Sequence, residues 1–158
     1  MRLLTTAILC ILLASACRPE QPVLPHQAAL NTWEVSDKVF IKNRSRRYFS
    51  VLSGDSQQVV QFLDADTGEC NSISLYFIEP PVTGRDYRVV YNPDTTDEVS
   101  IEESQVNSHH SGSNDEKGGT LQVRTIDGKL VFIASEVEVE NYNWVSSSYR
   151  TVSLNLIE

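Results

Sequence analysis

The chain is poor in the residues that cross-link, ligate metals or carry acid–base chemistry. It holds three cysteines, three histidines and one methionine in 158 residues. Cys10 and Cys17 lie near the N-terminus, so Cys70 stands alone in the rest of the chain and has no internal partner for a disulfide. Stability must then come from an apolar core, and about 140 residues are enough for one domain with a core of its own. The histidines are ill placed for chemistry. His26 lies in a proline-bearing stretch and His109-His110 in a polar one. Adjacent residues of an extended chain point opposite ways, so this pair does not share an ion readily, and a loop is a poor preformed metal site. There is no Gly-x-Ser-x-Gly elbow, which argues against a hydrolase triad built around one. No cofactor and no metal is expected. Basic residues are scarce, 13 against 21 acidic, which disfavours nucleic acid and anionic head groups as general partners. No segment has the periodicity of a long helix.

What is present begins with MRLLTTAILCILLASAC. Arg2 is a short positive region, and Leu3 to Leu13 is an apolar run of eleven residues, short for a bilayer span. Ala14-Ser15-Ala16 supplies the small residues a signal peptidase requires, and Cys17 follows at once. The segment resembles a bacterial lipoprotein signal, with Ala14 where Leu is commonest. Ordinary secretory cleavage after Ala16 is the alternative. The resemblance implies that residues 1–16 are removed and that Cys17 is lipidated, and two or more acyl chains hold a protein stably at a membrane. Loss of Arg2 leaves 12 basic residues against 21 acidic, a mature net charge of −9. Residues 17–30, with Pro19, Pro22 and Pro25, read as the lipidated Cys and an extended tether, and 31–158 as the folded domain. The start of the tether lacks the acidic run that accompanies surface export in similar lipoproteins. The expected place is therefore the outer membrane, on its periplasmic face.

The stretch that sets the fold is Gly119 to Glu140, GTLQVRTIDGKLVFIASEVEVE. Asp127-Gly128 supplies the two positive-φ positions of a type I′ turn. That turn sets Ile126 opposite Lys129, Thr125 opposite Leu130, Val123 opposite Phe132 and Leu121 opposite Ala134. Leu121, Val123, Leu130, Phe132 and Ala134 then share one face. Beyond Ala134 the apolar parity flips to Val137 and Val139, which predicts a bulge near Ala134-Ser135-Glu136. The alternative register buries Val131 and Ile133. Elsewhere, Asn31 to Ile41 predicts a hairpin turning at Ser36-Asp37-Lys38, and Tyr48 to Leu52 a strand. Gln57 to Leu63 reads as a strand, with a short helix capped by Ser56 as the other option. Ser72 to Ile78 predicts a strand with Ile73, Leu75 and Phe77 inward and Ser72, Ser74 and Tyr76 outward. Glu79 to Gly84 is a connector. Tyr87 to Tyr91 and Val99 to Ile101 are short strands, Ser104 to Gly119 a long mobile loop, Asn141 to Arg150 a turn, and Val152 to Leu156 a last strand. The sum is an all-β domain, a single antiparallel β-sandwich or squat barrel of about 8–10 short strands.

The order of apolar strand, Pro-Pro-x-Thr-Gly connector, Tyr-bearing strand, polar loop and Gly-Gly-Thr-Leu-x-Val hairpin resembles small β-sandwich lipoproteins of unknown function common in Bacteroidota. Ser72–Phe77, Pro81–Tyr87 and Gly119–Phe132 carry the resemblance. It implies the sandwich fold and membrane anchoring, and it brings no catalytic residues.

Several constellations offer chemistry. Asp64 to Glu69, DADTGE, has carboxylates on a turn, as calcium requires, but its glycine falls one residue early for an EF-hand loop. Glu136, Glu138 and Glu140 share a strand face, and carboxylate pairs serve glycoside hydrolysis. A solvated face is the plainer reading. Lys42, Arg44, Arg46 and Arg47 offer contacts to phosphate head groups, or ion pairs with a neighbouring strand. Tyr142, Trp144 and Tyr149 sit among Asn141, Asn143 and Ser146–Ser148. Rigid aromatics among small polar residues give binding surfaces area at low entropic cost. The sequence thus reads as a membrane-anchored envelope lipoprotein, held through Cys17, that works as a non-catalytic binding or accessory module. Its partner is a glycan, peptide or protein, and Tyr142, Trp144 and Tyr149 are the candidate contacts. The alternative is a small hydrolase acting on envelope polymers.

Overall fold

A computed structural model describes residues 26–52, 55–65, 70–105, 111–113, 118–143 and 146–158. The signal segment, Cys17, Asp66–Glu69, His109-His110 and Trp144 lie outside them. The described residues form no helix; they form eleven strands. These are β1 (Thr32–Val35), β2 (Lys38–Ile41), β3 (Arg44–Leu52), β4 (Asp55–Leu63), β5 (Ser72–Phe77), β6 (Asp86–Val89), β7 (Glu98–Ser104), β8 (Ser111–Ser113), β9 (Gly119–Ile126), β10 (Lys129–Asn143) and β11 (Ser146–Ile157). All belong to one sheet of order β2-β1-β11-β10-β9-β6-β7-β5-β4-β3, with β8 bridging β10 and β7.

That sheet curls on itself because one of its faces is apolar along nearly the whole order. Trp33 and Val35 of β1, Leu154 and Leu156 of β11, Phe132 and Ala134 of β10, Val123 of β9, Ile101 of β7, Leu75 of β5 and Phe62 of β4 belong to one buried cluster. Covering a single continuous face requires the ends of the sheet to approach. The chain helps directly, since the two outermost strands, β2 and β3, are consecutive and joined by Lys42-Asn43. Lys42 N donates to Asn31 O on one side and Asn43 N to Leu63 O on the other, each at 2.8 Å. Lys42 Nζ also donates to the Ile157 carbonyl, and Arg47 forms an ion pair with Glu158. The C-terminal end of β11 is thereby tied to the corner that links the two edges, and the sheet is a half-barrel pinched at that end.

The central hairpin has the expected register. Ile126 pairs with Lys129, Val123 with Phe132 and Leu121 with Ala134, and the turn has φ of +50° at Asp127 and +76° at Gly128. The bulge falls between Ala134 and Val137. Glu136 takes φ +52° and gives its N–H to Ser153 Oγ at 2.9 Å instead of to the ladder. Past the bulge β10 exchanges neighbours: β9 pairs with Lys129–Ala134, β8 with Asn141–Val139, and β11 runs along the other side. Val131 is also fully buried, on the opposite face from Phe132, so both faces of this strand are covered at its start.

Four local expectations need correction. The run 104–119 is not loop throughout, because Ser111–Ser113 forms β8. Asn141 to Arg150 is mostly strand: Asn141, Tyr142 and Asn143 pair with Ser148, Ser147 and Ser146. Tyr91 lies outside β6, exposed in a bend, because Asn92-Pro93 ends the strand early. Ser72 and Ser74 are buried although they face away from the core. Gln61 Nε2 donates to both hydroxyls, at 3.2 and 3.1 Å, and covers them. The sheet also contains one parallel pair, β6 with β7, in an otherwise antiparallel arrangement.

Candidate functional site: a polar groove on the outer face of the sheet

The bulge in β10 exists because the apolar parity changes there, and its side effect is a recess on the outer face. Glu136 stands out of the ladder, and β1 and β11 run beside it with Glu34 opposite Ser153. His26, Glu34, Ser36, Glu136, Thr151 and Ser153 line an open groove of about 500 Å³. Every lining side chain is polar. The segment just before β1 helps to build it. Ala28 is buried, and its carbonyl accepts from Asn155 Nδ2 at 3.3 Å. His26 Nε2 then reaches Glu34 Oε2 at 2.6 Å. Residues 26–30, read from the sequence as the end of a tether, therefore lie against the sheet. A smaller recess of about 140 Å³ adjoins it, sharing Ser36 and adding Lys38, Gln105 and Arg150.

The outer face on which the groove lies runs on along the ribbon of β10 and β11. Alternation sets Tyr149 and Thr151 on the same side of β11 as Ser153, and pairing sets Glu140 opposite Tyr149 and Glu138 opposite Thr151. Tyr149 is 56% exposed. Tyr142 stands opposite Ser147 in the same ribbon; its side chain and all of Trp144 lie outside the described residues. Tyr142 and Tyr149, named from the sequence, are thus on the same strand pair that carries Glu136, Thr151 and Ser153 of the groove.

This arrangement presents carboxylates and hydroxyls on a stiff three-strand support, with an aromatic ring at one end. The His26–Glu34 contact resembles the orienting half of a triad. Ser153 is 4% exposed, and its described contact is with the Glu136 N–H, so its oxygen is held as an acceptor inside the bulge. Among the described residues no cluster of three His, Cys, Asp or Glu is placed to hold a metal ion. No family model, characterised protein or solved structure matches this chain.

The other candidates are occupied with structure. Asp64 accepts from Asn71 N at 2.9 Å and from its side-chain amide at 2.5 Å, which closes the base of the 64–71 loop. Arg46 donates to Gln61 Oε1 at 2.7 Å and lies over the Tyr48 ring, 5.4 Å from its centre. Sequence reasoning missed the groove because its parts come from residues 26, 34–36, 136 and 151–153, distant in the chain. The parity flip at Ala134 marked the bulge without marking the recess beside it.

Proposed function

We propose that the chain is a lipid-anchored envelope protein, held through Cys17 at the periplasmic face of the outer membrane, and that its domain is a non-catalytic module binding a glycan. The observation that supports the glycan is the groove: three hydroxyls, two carboxylates and an imidazole line it, and the ribbon carries on to exposed Tyr149. Carboxylates and hydroxyls accept and donate to sugar hydroxyls, and an aromatic face receives the apolar side of a sugar ring. Trp144, which follows β10 in the sequence, would be the anchor. A second reading, a small hydrolase acting on envelope polymers, draws on the same two carboxylates and the His26–Glu34 pair.

The test titrates chitotetraose and maltotetraose onto the full chain in detergent micelles. Saturable binding by one of them is expected, weakened by roughly 2 kcal/mol in Trp144→Ala with unfolding free energy unchanged. Glu136→Gln and Tyr149→Ala should weaken it less. Absence of binding to both sugars refutes the glycan. A stability loss of about 3–5 kcal/mol in Trp144→Ala makes that residue a structural plug instead. Release of shorter sugars, lost in Glu136→Gln, would establish the hydrolase.

A further inference from the structure

The outermost strand at one end of the sheet is β3, nine residues long. It is hydrogen-bonded to β4 on one side, and among the described residues no strand pairs with its other side. A long free edge is a template for another chain, and proteins ordinarily blunt it with short length, proline, charged side chains or an inward-pointing charge; the arginines of β3 deter a basic strand but not an acidic one. β3 has no proline, and its inward charge, Arg47, is neutralised by Glu158. Pairing with Val60, Gln58 and Ser56 sets Arg47, Phe49 and Val51 on the core-side face of the sheet. Phe49 and Val51 nonetheless lie beyond the covered core, 75% and 73% exposed. Alternation puts Arg44, Arg46 and Tyr48 on the other face.

Two chemistries therefore flank one free edge, on opposite faces of the strand. A flat surface such as a membrane meets one of those faces at a time. An added strand has two faces of its own, so it can set apolar side chains beside Phe49 and Val51 and acidic ones beside Arg44 and Arg46. We propose that the free edge of β3 receives, by strand addition, an extended segment of a partner protein in which acidic and apolar residues alternate. Charge complementarity supports that occupant. The chain has a net charge of −8 yet sets Arg44 and Arg46 on one face of this edge, so the edge draws an acidic strand. The chain's own alternating run, residues 136–140, is already paired with β11 and is not available to a second copy. The proposal does not depend on the groove.

The probe is a labelled, end-blocked nonapeptide of alternating Val and Glu, added to the full chain in detergent micelles, with a Val/Lys peptide as the reversed-charge control. Saturable binding of the acidic probe is expected, with amide exchange slowed over residues 44–52. R44E/R46E and F49S/V51S should each weaken it about tenfold; F49S/V51S should keep the wild-type Tm because its side chains are exposed, and R44E/R46E should lower it only slightly, through loss of the exposed Arg46–Gln61 contact. No binding up to about 1 mM probe, equal binding of the Val/Lys peptide, or protection elsewhere overturns the proposal. Self-association of the chain abolished by F49S/V51S would assign the edge to a second copy and overturn it too. So would binding of the Cys17→Ser chain to phosphatidylglycerol vesicles that R44E/R46E abolishes, in the absence of peptide binding.

Discussion

Replacing Glu98 by glutamine should destabilise the domain at neutral pH and much less in acid. Glu98 begins β7 where it lies parallel to β6, opposite Arg88. Its side chain is 3% exposed. The carboxylate takes Arg88 Nη2, the N–H of Asp94 at 3.0 Å and the N–H of Thr95 at 3.3 Å. The Asp94 N–H holds its pKa down to about 2 against burial, which acts the other way, with the Asp94 side chain and then the Arg88 guanidinium adding to the effect. The gap from the ordinary 4.5 corresponds to about 3 kcal/mol. Arg88 is 70% exposed, so solvent screens its share, and about 1.5–2 kcal/mol is the expected loss for Glu98→Gln at pH 7. The sign follows from linkage. A group whose folded-state pKa is depressed stabilises fully above its unfolded value, and that stabilisation is lost as pH falls through the folded value. The Glu98 contribution to the difference between wild type and variant should therefore be complete at neutral pH and shrink as pH falls from 4.5 towards about 2. Asp94 works the other way in the wild type, since Glu98 pushes its carboxyl up, and Glu98→Gln removes that shift as well, so the pH dependence of the difference reports the pair and not Glu98 alone. Urea unfolding at pH 7, 5, 4 and 3 measures it. An equal loss at pH 7 and pH 3 would show that the cost is steric, and no loss at pH 7 would show that the carboxylate does not hold this corner.

Three further outcomes are expected. Gly128→Val puts a β-branched residue at φ +76° with no atom within 4 Å of its Cβ, so the cost, about 1–3 kcal/mol, is conformational; an unchanged Tm would refute the turn. Phe132→Ala removes a fully buried ring packed against Phe62 and Phe77, at centroid distances of 5.7 and 6.2 Å, and should cost about 3–5 kcal/mol. Leu130→Ala, only partly buried on the same face, should cost less, and a loss for Phe132→Ala no larger than that for Leu130→Ala in urea unfolding would refute the placement of the Phe132 ring in the core. Cys17→Ser should move the protein from the detergent phase to the aqueous phase on cloud-point partition; equal partition of wild type and variant would rule out the lipid anchor.

The central hairpin was legible from residues alone because its information is local. Asp127-Gly128 fixes the turn, the turn fixes the register, and the shift of apolar parity after Ala134 demands an extra residue before Val137. Ile73, Leu75 and Phe77 were assigned inward by alternation for the same reason. Other features depend on chain segments that sequence cannot bring together. That Gln57–Leu63 is strand rather than a capped helix is decided by β3 and β5 pairing on either side of it. That Asn141–Asn143 and Ser146–Arg150 are strands, despite their turn-like composition, follows from a ladder already running up β10 and β11. The groove joins the start of the domain to its last strand, and the free edge of β3 exists only because β2 and β3, neighbours in the chain, end up as the two margins of the sheet. Local propensity acts over a few residues and so determined the strands and the turn. The order of strands, the recess beside the bulge and the exposed edge came from how one apolar face closes over itself, which is a property of the whole chain.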